Sequence, residues 1–297
     1  MAADDAATST QDWEAAGARD ASGADAVGTA GASGTSAAVP VIPTLPNLRD
    51  LGGHRTTDGR RVRAGILYRS VDLSRVDADG LDVLQGLGIR TVFDLRTAPE
   101  CEQRPDRLPA GAHRVALDVL RDSQQTAPAQ MATFFEDAVK AEEFLGGGRA
   151  VEHLAQAYRD IVSLPSALEA YSGYFRGLLA ADGSASLVHC TTGKDRTGWA
   201  AASLLLTLGV EPDAVMADYL RTNTDLLPAL QPVFDQFAEA GGSPEMLRPV
   251  LGVREEYLVT ALAEADARFG GIEGYMREGL GLSEDELTRL RSLFLEG

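Results

Sequence analysis

The chain has 297 residues, 44% of them hydrophobic and 24% charged, with a formal net charge of -17. Length and composition fit a soluble protein with a full core, and the negative balance argues against a nucleic-acid partner, whose backbone it would repel. Two cysteines, Cys101 and Cys190, are too few for a disulfide framework and suit a reducing compartment. No run approaches the roughly 18 uninterrupted apolar residues of a membrane span.

In chain order, residues 1–38 are rich in Ala, Gly, Ser, Thr and Asp and carry Asp4, Asp5, Asp12, Glu14, Asp20 and Asp25 against a lone Arg19. This predicts a disordered acidic tail, followed by a single domain over 39–297. No basic start leads into an apolar core, so no secretory signal is legible and cytoplasm is the default; export by a route without such a signal stays open. Pro40, Pro43 and Pro46 favour an extended entry, and Asn47 to Gly53 reads as a turn.

Ile66 to Arg69 and Thr91 to Leu95 are predicted strands. Between them lies a helix carrying Leu81, Leu84 and Leu87, capped by Asp77 or Asp79 and ended by Gly88. Strand, helix, strand at that separation predicts a parallel crossover, which places Asp94 and Arg96 at a strand's C-terminal end, where sites of open α/β sheets gather. There they read equally as site residues or as a structural ion pair. Pro99 to Pro109 is a loop or short helix, and His113 to Leu117 a short strand. Met131 to Leu145 and Val151 to Ala181 are helical, the second stretch broken at Pro165, with Tyr158, Ile161, Tyr171, Tyr174 and Phe175 read as core.

The stretch with the most chemistry runs from Ser186 to Gly198. An apolar strand ends in His189 and Cys190, a polar loop holds Gly193, and an apolar helix continues from Trp199 to Leu208 until Gly209. Backbone N–H groups at a helix N-terminus converge on one point and carry partial positive charge, a cradle for phosphate. Cys190 stands at the mouth of that cradle, where the helix end, Lys194 and Arg196 favour the nucleophilic thiolate, and Arg196 offers a planar fork for two phosphoryl oxygens. A nucleotide-binding loop is excluded, because Asp195 stands where that motif needs Ser or Thr. Cys101 reads as an incidental cysteine rather than a redox partner of Cys190.

Beyond the loop, Pro212 starts a helix through Tyr219 and Leu220. Asp225 to Ala240 is helical but interrupted by Pro228 and Pro232, which predicts a loosely attached segment, and Ser283 with Glu286 forms a capping box for a terminal helix.

His189-Cys190-Thr191-Thr192-Gly193-Lys194-Asp195-Arg196-Thr197-Gly198 resembles the signature loop of cysteine-dependent protein tyrosine phosphatases. Its Gly-Lys-Asp-Arg form resembles the bacterial family of mycobacterial PtpB, with relatives active on phosphoinositides. Asn47-Leu48-Arg49-Asp50-Leu51-Gly52-Gly53, Leu67-Tyr68-Arg69-Ser70, Phe93-Asp94-Leu95-Arg96-Thr97, Tyr275-Met276 and Leu280-Gly281-Leu282 extend the similarity over about 39–297.

The resemblance implies an α/β fold with a mostly parallel sheet of four or five strands flanked by helices, and a C-terminal helical region, about 223–245, that can serve as a lid or be a fixed part of the core. It implies a phosphatase acting on phosphorylated protein or phosphoinositide, with no metal or other cofactor, Cys190 attacking phosphorus and Arg196 binding the oxygens. Thr191, Thr192, Gly193, Lys194, Thr197 and Gly198 would complete the phosphate site, with His189, Asp94 and Arg49 or Asp50 supporting the loop. Asp195 is the first choice for the acid that protonates the leaving group, ahead of Asp94 and then Asp118, which lies where many tyrosine phosphatases carry a mobile acid but lacks the Trp-Pro-Asp tripeptide. The rival functions are phosphate binding without turnover and sulfur or arsenic chemistry at the same thiol.

Overall fold

The computed structural model describes residues 39–123 and 138–297; the predicted tail over 1–38 and the first part of the helix predicted from Met131 lie outside the described residues. The central sheet has five strands: β1 (Arg49–Asp50), β3 (Leu67–Ser70), β6 (Ser186–His189), β4 (Thr91–Asp94) and β5 (His113–Ala116), in that spatial order. β1 pairs antiparallel with β3, and the other pairings are parallel. The architecture is α/β with a mostly parallel sheet, as the sequence predicts. A separate two-stranded ladder, absent from the sequence reading, pairs β2 (Arg61–Val62) with β7 (Leu295–Glu296).

β3, β4 and β6 are buried along their whole length, as strands covered on both faces must be. Their alternate side chains part into two cores. Leu67, Phe93 and Val188 enter the larger one with the helices α4 (Arg149–Ser163), α5 (Pro165–Ala181) and α6 (Asp195–Thr207). Tyr68, Val92 and Leu187 enter the other, with Ile42, Leu45 and the Leu84 side chain of α1 (Ala78–Gly86). Asp77 caps α1 through Gly80 N–H, and Leu164-Pro165 breaks the long helical stretch into α4 and α5, because proline suits a helix's first turn and not its interior.

The crossover from β3 through α1 to β4 skips one strand position, and β6, which begins 92 residues after the end of β4, fills it. Ser70 and Asp94 both stand level with His189 in the register. Three strand ends therefore meet at one height, and Cys190 is the next residue along the central one.

Past α7 (Pro212–Leu226), Leu227–Leu230 forms a 3₁₀ turn, followed by α8 (Gln231–Glu239) and α9 (Pro244–Leu251). Pro228 and Pro232, which the sequence reads as interruptions, each lie in the first turn of a helix, where the missing N–H costs nothing. Val233, Phe234, Phe237, Leu247 and Val250 are buried with α3 (Ala138–Leu145) in a third cluster that Val71 and Leu154 border. α10 (Glu255–Phe269), which like α9 has no counterpart in the sequence reading, packs along α4. α11 (Glu284–Phe294) carries the predicted capping box at Ser283 and Glu286.

Candidate active site

The loop from Cys190 to Lys194 joins β6 to α6, and three of its carbonyls are tied to groups around it. Cys190 O accepts from His189 Nδ1 at 3.1 Å, Thr191 O from Asp72 N–H at 3.1 Å, and Gly193 O from Asn47 Nδ2 at 2.9 Å and Arg69 at 2.8 Å. In a planar trans peptide the following N–H points opposite to the carbonyl, so the amides of Thr191, Thr192 and Lys194 turn to the inner side of the loop. No side chain caps the first turn of α6, whose N–H groups continue the same cradle. Gly193 is required by two independent constraints: its φ is +63°, and a Cβ there would meet Ser70 O at 2.1 Å.

Arg196 lies in the first turn of α6 with its guanidinium held inward. Glu100 grips it with both oxygens, at 2.7 and 2.8 Å, while Leu95 O accepts at 3.2 Å and Thr191 Oγ1 at 3.4 Å. Burial alone would raise the Glu100 pKa, but Arg196 and Thr191 outweigh it and hold the carboxyl well below its usual range. Glu100 sits at the third position of α2 (Ala98–Gln103), in a capping box with Thr97. The Thr97-Pro99-Glu100 spacing announces the helix start, but nothing in the sequence announces that Glu100 also holds Arg196.

His189 is fully buried. A carbonyl can only accept, so Nδ1 carries a proton toward Cys190 O. Nε2 lies 3.2 Å from Asp106 Oδ2 as an ion pair without hydrogen-bond alignment. Burial pushes the ring's pKa down, but Asp106 and Asp94 outweigh it and the net shift is upward.

Asp94 binds Arg96 through both oxygens, at 2.9 and 2.8 Å, and also takes Arg114 at 3.0 Å and the Cys101 thiol at 3.2 Å. Its carboxylate is committed to the interior. Asp94, Asp106 and His189 offer ligand atoms within 4.8 Å of one another, but Arg96 stands 2.8 Å from both carboxylates, and a cation there would face a guanidinium already in place. Cys101, pushed up to about 11 by burial and by Asp94, is held as the thiol.

Arg49 and Arg69 converge on buried Asp218 of α7, Arg49 at 2.8 Å and Arg69 at 3.1 Å. Arg49 also donates to Asn47. Burial raises the Asp218 pKa, and the two guanidiniums overcome this and hold it below the carboxylate range; burial and Arg49 together push Arg69 down to about 10. Arg49, Arg69 and Asn47 thus brace the loop at Gly193 from behind, and Asp218, which no sequence pattern marks, anchors the brace. Asp50 turns the other way, accepting from Gly52 and Gly65 N–H.

Asp195 is the first residue of α6 and 27% exposed at its side chain, with Lys194 Nζ at 2.7 Å and the Tyr158 hydroxyl at 2.8 Å. Asp118 accepts from Ala98 N–H at 3.1 Å and Leu120 N–H at 3.2 Å, tying its loop to the start of α2. Thr197 is fully buried, and its hydroxyl has no hydrogen-bond partner among the described residues. Cys190 itself is 2% exposed. Thr192 is half-buried, and Gly198 packs under Tyr219.

A strand-end cysteine, an amide cradle and an inward guanidinium define a cysteine-dependent phosphatase. Residues 40–296 match the model of the tyrosine phosphatase family. A Cupriavidus necator protein provisionally named a tyrosine-protein phosphatase is 34% identical over 84% of this chain and 85% of its own. The triple specificity protein phosphatase PtpB of Mycobacterium tuberculosis is 33% identical over 79% of this chain and 92% of its own, and a tyrosine-protein phosphatase of Nostoc commune is 30% identical over 77% and 74%. The chain belongs to the tyrosine phosphatase family. Among the described residues no helix is long and apolar enough to cross a membrane.

Proposed function

We propose that this phosphatase hydrolyses phosphomonoesters through a cysteinyl-phosphate, without a metal. The observation that carries the reading is the pairing of the amide cradle beside Cys190 with an Arg196 side chain already placed by Glu100. Cys190 attacks phosphorus in line; the S–P bond forms as the P–O bond to the leaving group breaks, and the leaving oxygen takes a proton from Asp195. Water then attacks the cysteinyl-phosphate, giving a proton back to Asp195 and releasing phosphate and thiolate. Arg196, the inward amides of Thr191, Thr192 and Lys194, and Gly193 between them bind the oxygens, and positioning with charge stabilisation supplies most of the catalysis.

Thr197, with a buried hydroxyl free to turn, donates to the departing sulfur. His189, buried between Cys190 O and Asp106, shapes the loop and takes no proton from the thiol. Asp195 is favoured over Asp94 and Asp118 because it alone of the three is partly exposed beside the loop and not committed to a guanidinium or to backbone donors. Lys194 Nζ lies 2.7 Å from its Oδ2, and a bound phosphate dianion competes for that ammonium group.

Phosphotyrosine is the primary substrate class in this reading. Lys194, a second cation in the loop, suits substrates with further phosphates, phosphoinositides among them, and phosphoserine and phosphothreonine follow if Asp195 can protonate an alkoxide. Residues 39–297 act as one phosphatase domain, with 1–38 outside it. A reduced, low-exposure nucleophile suits the cytoplasm. The segment 223–245, which borders Val71 beside the loop, has to shift for substrate to reach a sulfur so little exposed.

Turnover of a chromogenic aryl phosphate in the presence of chelator, lost in Cys190→Ser, is the expected result. Tight phosphate binding without turnover would instead make the protein a binding module. Asp195→Asn is expected to lower the rate on an alkyl phosphate by about 10²- to 10⁴-fold while sparing an aryl phosphate with a good leaving group. An unchanged alkyl rate would remove Asp195 from the mechanism.

A further inference from the structure

Asp195 has two side-chain partners, and the proposed reaction takes one of them away. Lys194 holds the carboxyl in the empty site but is drawn toward a bound phosphate, and the remaining contact is the Tyr158 hydroxyl at 2.8 Å. Tyr158 comes from α4, outside the signature loop, and is fully buried. Its ring is wedged between Tyr219 of α7, edge-on at 6.4 Å, and Tyr257 of α10 at 5.4 Å. The hydroxyl therefore has little room to move with substrate.

A second hydroxyl fixes what the first one does. Tyr219 Oη lies 2.6 Å from Tyr158 Oη. Each phenol has one proton, so when Tyr158 donates to the carboxylate, Tyr219 must donate to Tyr158. The same pair serves the protonated acid: with its proton on Oδ2 the carboxyl still accepts from Tyr158 at Oδ1, which leaves that proton for the leaving oxygen. Such a chain holds the carboxyl in one place in both protonation states, as a group that gives a proton in one step and regains it in the next requires.

We propose that Tyr158, backed by Tyr219, is the positioning residue for Asp195, keeping its carboxyl at the leaving oxygen once Lys194 has turned to the phosphate. The inference rests on Asp195 being the acid. Tyr158 moves no proton to substrate and touches no reacting atom; it acts through the Asp195 oxygen.

The test compares an alkyl phosphate with an aryl phosphate of good leaving group, which needs no acid, in the full-length wild-type protein, Tyr158→Phe, Tyr219→Phe and Asp195→Asn. Phenylalanine keeps the ring in the core and removes only the hydroxyl. Tyr158→Phe is expected to lower kcat on the alkyl phosphate by about 10- to 100-fold, the scale of a misplaced catalytic group, with less than about a threefold change on the aryl phosphate and little change in KM. Tyr219→Phe, which leaves the Tyr158 to Asp195 bond in place, shifts kcat the same way by a smaller factor, and it serves should Tyr158→Phe fail to fold. Equal losses on both substrates, or no loss on the alkyl phosphate, would overturn the proposal and leave Tyr158 a packing residue. Asp195→Asn separates the two failures: if it discriminates between the substrates and the tyrosine variants do not, only the positioning role falls; if it does not discriminate, the acid assignment falls and the positioning role with it.

Discussion

Glu100 does for Arg196 what no loop residue can do. An arginine side chain has many rotamers, and two parallel contacts at 2.7 and 2.8 Å select one before substrate arrives. Glu100→Gln keeps the size and removes the charge, and is expected to lower kcat/KM about 10- to 100-fold with the fold intact. The same pair gives a pH signature. Because the folded-state pKa of Glu100 lies below the ordinary carboxyl value, its contribution to stability is present in full above that ordinary value and is lost as pH falls from there through the folded one. Urea unfolding at a series of pH values should therefore show a wild-type advantage over Glu100→Gln that is constant near neutrality and shrinks below about pH 4.5. An advantage independent of pH would mean that the ion pair contributes nothing to stability.

The elements that could be read from sequence are those whose signals are local. β3, β4 and β6 are apolar runs between turn residues, Asp77 and Ser283 cap helices in the familiar pattern, and Leu164-Pro165 marks the α4 to α5 boundary. The signature loop was legible because nucleophile, glycine turn and arginine sit within ten residues of one another. What stayed hidden is what acts across the fold: Glu100 holds Arg196 from 96 residues away, Tyr158 holds Asp195 from 37, and Asp218 holds Arg69 from 149. The strand order, with β6 between β3 and β4, is likewise a non-local fact. The segment around α8 and α9 is hard to read because its prolines suggest interruption, whereas each lies in the first turn of a helix and the apolar side chains form a cluster of their own. That separate cluster predicts separable stability. Phe237→Ala, removing a fully buried ring at a cost of about 3–5 kcal/mol, is expected to raise hydrogen exchange across 227–251 while leaving β6 and α6 protected. Uniform loss of protection would show that the cluster is continuous with the main core.

At the scale of the molecule, a chain of net charge -17 gathers its cations inside, with Arg49, Arg69, Arg96, Lys194 and Arg196 all buried around one loop. The exterior repels the anions that the interior binds. Screening should relieve that repulsion, so raising ionic strength from about 0.01 M to about 0.15 M, which shortens the Debye length from about 30 to about 8 Å, is expected to lower KM for a substrate with several phosphates more than for a monoester. The opposite salt dependence would place a basic approach path on the surface. The catalytic expectations depend on a covalent bond between phosphorus and the Cys190 sulfur. Acid-quenched protein taken during turnover of an aryl phosphate and examined by mass spectrometry should carry one phosphoryl group on the peptide containing Cys190, and none in Cys190→Ser. Steady turnover with that peptide unmodified, or persisting in Cys190→Ser, would contradict the account at its root.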